Sequence, residues 1–338
     1  MAKASLDDAL DSLAEAERSR DTTLIAVAAA SVLEIDENNT EAKYAVFSNG
    51  MPVMNRRGQY RTDPTMLQAA KGFRRLKEIV ELDPTHRGAW YRGALLLSQH
   101  LGMTEEVLEW WEDYRTHFPY DTVPLIEEAG LLLRMGMYEE VAERLVCIYD
   151  EGMEDVPRHL RSRVESMDGT VTKYFEMEEK NVFRPEDPKS PAWKDIESMR
   201  NTKPASETFT FFMLAGPLVL WEGLLIPEFI GRGWLSMIVT ILVVYISIMF
   251  VKKWSIKLTD KRNRPVLDLW RAIEVEATSG NTCIPKSMRD SKLYNRVMSR
   301  NYPVAFRERH ERIVDADEII SPRWKMKLPE WHDYSEEE

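Results

Sequence analysis

Two long apolar runs, FTFFMLAGPLVLWEGLLIPEFI at 209–230 and WLSMIVTILVVYISIMFV at 234–251, are joined by only Gly231, Arg232 and Gly233. At about 1.5 Å of rise per residue they would span roughly 33 and 27 Å, close to the ~30 Å of a hydrocarbon core. In lipid each backbone N–H and C=O has to find its partner inside the segment, so runs of this kind are helical. The pair therefore predicts a transmembrane helical hairpin over 208–251. Two buried helices of a soluble core would share the composition, but the second run has no charged residue and is apolar on every side, which favours lipid. Pro217 and Pro227 kink or end a helix and leave a re-entrant hairpin as the alternative to a crossing one.

The flanks give the orientation, because short cytoplasmic flanks collect Lys and Arg. Lys252, Lys253, Lys257, Lys261, Arg262 and Arg264 follow the second run, and Lys194, Arg200 and Lys203 precede the first, whereas the turn has only Arg232. The expectation is a membrane protein with two spans and both termini cytoplasmic, whose basic flank faces anionic headgroups of the bilayer.

Glu222 lies just past the midpoint of the first run, where a charged side chain costs on the order of 3 kcal/mol on insertion scales. Folding the hairpin about Arg232 carries the second helix past Glu222 near Leu242, so Thr240 and Tyr245 are its expected polar neighbours. Gly216 and Gly223 lie near one face, where another helix backbone could approach closely. A carboxyl bonded within the hairpin is one reading of Glu222. Contact with another membrane subunit, including a second copy of the chain, is the other.

Charge divides the rest of the chain. Residues 1–160 hold 29 acidic and 17 basic side chains, and residues 252–338 hold 15 and 18, within a net charge of −11. The acidic half opposes nucleic-acid binding, which needs cations along a surface. The first twenty residues are acidic and lack an apolar core, unlike a secretory signal or a transit peptide. Cys147 and Cys283 stand in no metal-ligand spacing, which argues against a zinc site or a disulfide framework.

The amino-terminal half repeats itself. GMTEEVLEWW begins at Gly102 and GMYEEVAERL at Gly136, an offset of 34 residues. Pro84 precedes a helix opened by Trp90 and Tyr91, Gly93 and Ala94 supply small residues, and Pro119 closes the unit; Leu125, Ala129, Gly130, Tyr138, Val141 and Leu145 follow in the same order. This pattern resembles the tetratricopeptide repeat over roughly residues 5–155, well for two units and loosely for the others. The resemblance implies an α-α solenoid, residues 1–168 with a capping helix at 158–166, whose groove takes a protein or peptide partner. Trp90, Trp110 and Trp111 are expected to pack between repeats. Arg56, Arg57, Arg74, Arg75 and Lys77 are candidate cations for an acidic peptide, including the chain's own end, EWHDYSEEE.

Residues 169–207 read as a linker, with Pro185, Pro188, Pro191 and Pro204 marking a tether to the bilayer. Residues 252–338 read as a basic juxtamembrane segment and a helical tail, with a helix from Pro265 to about Thr278 and two further helical pieces broken at Pro303. The basic residues interleaved with Tyr294, Tyr302 and Phe306 fit a solvated helix face, anionic headgroups or nucleic acid. No phosphate-binding glycine loop, nucleophile elbow or His-Glu-x-x-His motif is present, and the six histidines are scattered singly.

The chain is thus expected to be all-α, without cofactor or metal and not an enzyme: a repeat domain, a membrane hairpin and a small helical tail. Two functions compete. One is a membrane-anchored interaction scaffold. The other is an accessory subunit of a membrane translocation, transport or lipid-processing complex in which the hairpin takes part.

Overall fold

The computed structural model describes residues 5–55, 60–150, 152–176, 182–231 and 233–330. It is helical throughout, and the described residues include no strand beyond two isolated bridges, Met54 with Tyr60 and Thr282 with Ile319.

Eight helices build the amino-terminal half: α1 Leu6–Ser19, α2 Thr22–Ile35, α3 Thr40–Gly50, α4 Met66–Leu82, α5 Arg87–Leu95, α6 Thr104–His117, α7 Thr122–Met135 and α8 Tyr138–Ile148. Their starts are written locally. Ser5 and Thr65 form capping boxes with Asp8 and Gln68, and Asp21, Asn39 and Asp121 accept the first free N–H groups of α2, α3 and α7. Each helix packs on the next, because an apolar stripe on one helix has no other way to leave water. Trp90, Trp110, Trp111 and Tyr114 are buried in the resulting core, and the two rings of Trp90 and Trp110 lie 4.4 Å apart.

The 34-residue offset has a backbone cause. Gly102 and Gly136 both take left-handed conformations, φ +64° and +81°, at the turns into α6 and α8. A turn from one helix into the next needs that φ, and glycine adopts it without a Cβ penalty. The turn at Gly102 follows a π-helical stretch, Leu96–Leu101, that ends α5.

Beyond α8 the chain departs from expectation in three places. The closing helix α9 spans Arg161–Phe175 instead of 158–166, with Val164, Met167 and Val171 buried against α7 and α8. The proline-rich stretch is not a bare tether, since it contains α10, Ala192–Ser198, with Trp193 and Ile196 buried. The prolines sit at its borders, and one apolar face was enough to hold the helix between them. After α11, Glu207–Ile230, the second run does not stop at Val251: α12 runs from Trp234 to Ser279, 46 residues and about 69 Å. Pro265 stands inside it, where a helix start was expected. Continuing an existing helix through Lys, Arg and Leu, and losing one hydrogen bond at the proline, is less costly than nucleating a new one. The short α13, Lys286–Arg289, then precedes α14, Lys292–Asn301, and α15, Val304–Ala316, which are broken at Pro303 as expected.

The chain divides into two units. The first comprises the residues up to Pro188 together with Arg271–Ile284 and those from Val297 onward; the second comprises Lys189–Trp270 and Pro285–Arg296. Residues 252–338, read as a juxtamembrane segment and helical tail, are divided between the two units, and much of them belongs to the first. There α15 packs on α4 and on the π-helical stretch, and Ile320 and Met326 join the core. The turn glycines are its landing points: a Cβ at Gly102 would lie 2.4 Å from the Phe306 ring, and one at Gly136 would lie 2.6 Å from the Arg271 guanidinium. Arg309 Nη1 donates to the Ala277 carbonyl at 2.6 Å and to that of Leu101 at 3.1 Å, and the Lys327 N–H reaches Glu105 at 2.8 Å.

Candidate functional site

Within the second unit, α11 and α12 hold apolar residues facing outward. Phe229 is 85% exposed, and Leu224, Trp221, Ile241 and Phe250 are exposed as well. Both helices are long and apolar enough to cross a membrane. The described polar contacts between these segments fall in one register. The Ser247 hydroxyl donates to Glu222 Oε1, and farther from the turn the Asn263 amide accepts from the Ala205 N–H at 2.8 Å and donates to the Ala205 carbonyl at 2.9 Å.

The partner of Glu222 is thus Ser247, and not Thr240 or Tyr245. Thr240 Oγ1 donates to its own helix at the Ser236 carbonyl, 2.8 Å away, and Tyr245 is exposed. The reason is the lean of the side chains. Cβ bonds tilt toward a helix's amino terminus, so Glu222 reaches away from the turn while a residue of α12 reaches back toward it, and the pair forms between positions farther from the turn than Cα levels suggest. Glu222 Oε2 is buried without a hydrogen-bond partner among the described residues. So is Ser236 Oγ, beside a cavity of about 270 Å³ lined by Pro227, Gly233, Met237, Thr240 and Ile241. A Cβ at Gly216 or Gly223 would meet nothing within 4 Å among the described residues, which leave their close-approach surface unused.

In the first unit Arg74, Arg75 and Lys77 are exposed on α4, Arg74 with Glu78 at 3.8 Å. Arg56, Arg57 and Arg232 lie outside the described residues, as do 331–338 of the acidic end. What sequence spacing could not reveal are the buried polar clusters that join the helices. Asp121, the cap of α7, accepts hydrogen bonds from Tyr114 at 2.6 Å and Tyr91 at 3.1 Å; burial, with the Asp121 carboxylate beside them, holds both phenols above their ordinary range. Glu112 and Arg115 on α6, Glu128 on α7 and Arg144 on α8 are all buried. Arg115 pairs with Glu112 at 3.0 Å, and Arg144 Nε stands 3.5 Å from Glu128. Burial, followed by the Glu112 charge, pushes the Glu128 carboxyl up to about 8.

His310, read as a single histidine, meets Glu276 at 3.0 Å in the core, and the other Glu276 oxygen accepts the N–H groups of Cys283 and Ile284 at 2.6 and 2.7 Å. Glu276 and His310 are buried, and with the two N–H groups they tie the end of α12 to α15, which suits a latch for the returning tail. Among the described residues no group of three or more His, Cys, Asp or Glu could hold a metal ion. No family model, no curated protein and no solved structure matches the chain.

Proposed function

We propose that the chain is a membrane-anchored interaction scaffold, in which tetratricopeptide-like helical repeats hold a protein or peptide partner on the cytoplasmic side and the α11–α12 hairpin anchors them. The observation that carries the anchor is the outward apolar surface of two helices whose most apolar stretches are only 6% buried. In water such a surface would drive aggregation, whereas in lipid it costs nothing to expose. The repeat reading rests on the recurring Gly-Met turns and on consecutive helices that each pack on the next; the orientation rests on the basic flank.

A single cysteine at Gly231, with Cys147 and Cys283 replaced by Ser, tests the anchor in sealed membranes. The expected result is labelling by an impermeant maleimide from the non-cytoplasmic side. Labelling only after solubilisation would mean a re-entrant hairpin, and release of the protein by alkaline carbonate would remove the anchor altogether. Crosslinked neighbours lost on charge reversal of Arg74, Arg75 and Lys77 would place the partner on α4.

The unpartnered Glu222 Oε2 favours a second role beside the first, in which the hairpin takes part in a larger membrane complex as an accessory subunit.

A further inference from the structure

The part of α12 beyond the second apolar run has an inverted pattern. Its buried row is polar: Ser255, Thr259 and the half-buried Asn263, four residues apart, with Asn263 clamped to Ala205. Its large apolar side chains point outward in another row, Phe250, Trp254 and Leu258, where Trp254 is 73% exposed. A helix bathed in water would have these two rows exchanged. Of the six flanking cations, four share a face. Lys253, Lys257, Lys261 and Arg264 recur at i, i+4, i+8 and i+11 and lie alongside the apolar row, whereas Lys252 and Arg262 fall on other sides of the helix. Asp260, exposed at the margin of the cationic row, offsets one of them.

We propose that residues 250–264 form a binding site for anionic phospholipid headgroups, in which Phe250, Trp254 and Leu258 enter the acyl boundary while Lys253, Lys257, Lys261 and Arg264 hold the headgroup phosphates. The inference rests on the membrane reading of the hairpin. The adjacency of the two rows favours lipid over an acidic protein, because a bilayer surface offers an apolar layer and a charged layer a few ångströms apart along the same helix. The four ammonium and guanidinium groups span about 17 Å of helix and so address several headgroups, not one.

The full-length protein is extracted in mild detergent from vesicles of phosphatidylcholine with one fifth phosphatidylserine, and co-purified lipid is quantified by mass spectrometry. Wild type should be enriched in the anionic lipid several-fold over the bulk ratio. K253Q/K257Q/K261Q should bring the composition back to about the bulk ratio, since each surface cation is worth about a factor of five in affinity, and K253R/K257R/K261R should keep the enrichment. A wild type that floats with vesicles yet shows bulk lipid composition would overturn this site alone; one that does not float with neutral vesicles would overturn the anchor beneath it. Enrichment that emerges only after deletion of residues 331–338 would assign the cations to the chain's own acidic end and likewise overturn the proposal.

Discussion

The Asn263 side chain closes both backbone groups of Ala205, taking its N–H at 2.8 Å and giving a hydrogen to its carbonyl at 2.9 Å. Ala205 directly precedes Ser206, the cap of α11, so the clamp fixes where the first apolar helix begins. Asn263→Ala loses both bonds and should cost about 1–3 kcal/mol, while Asn263→Asp keeps the acceptor and should cost less. Limited proteolysis of the detergent-solubilised protein within 199–206 reads the difference, faster in the order wild type, Asp, Ala.

The two turn glycines should not tolerate alanine equally. Both carry a left-handed φ, a cost of about 1–2 kcal/mol for a residue with a Cβ. At Gly136 the new methyl meets the end of the flexible Arg271 side chain, which can swing away, but at Gly102 it meets the ring of Phe306, buried and stacked on Tyr302. Gly102→Ala should therefore lose a further ~1–3 kcal/mol to overpacking. Denaturant midpoints of the two variants in detergent check the order.

The same glycines show what was legible in the sequence. Their offset and the two apolar runs are local signals, written close to the structure they cause, and helices formed where those signals lie, although the second ran on to Ser279. The contacts of Gly102 with Phe306 and of Glu276 with His310 join residues far apart in sequence, and no periodicity records such a pairing. The pairing of Ser247 with Glu222 follows an equally local rule. Helix side chains lean in a known direction, and level arithmetic that ignores the lean selects Thr240. Pro265 misled because a proline is a helix start when a helix is absent upstream and only a lost bond when one is already running.

Glu128 makes stability depend on pH. Its carboxyl is raised to about 8 in the fold from an ordinary value of 4.5, mainly by burial, so the folded state holds a proton that the unfolded chain gives up. The contribution is fully present below about 4.5 and is lost as pH rises through about 8, giving falling stability across that window. Glu128→Gln carries no titrating group beside Arg144, Arg115 and Glu112 and should flatten the fall. Denaturant midpoints of both proteins measured from pH 5 to 8.5 test it, and parallel slopes would remove Glu128 as the cause.

Ser247 and Glu222 allow the two roles of the hairpin to be separated. Ser247→Ala removes the one described partner of Glu222 and leaves a carboxyl with both oxygens unpaired in an apolar helix pair, which should cost about 1–3 kcal/mol. Glu222→Leu removes the polar group with its demand, so the hairpin should insert and withstand heat in detergent at least as well as wild type. If Glu222 Oε2 serves another membrane subunit or a second copy, Glu222→Leu should nevertheless weaken association, seen as a smaller species in mass photometry of bilayer discs. Ser247→Ala should then lose stability while keeping its partners. Identical assembly of wild type and Glu222→Leu in both detergent and bilayers would reduce the glutamate to a tolerated polar residue and leave anchoring as the hairpin's whole task.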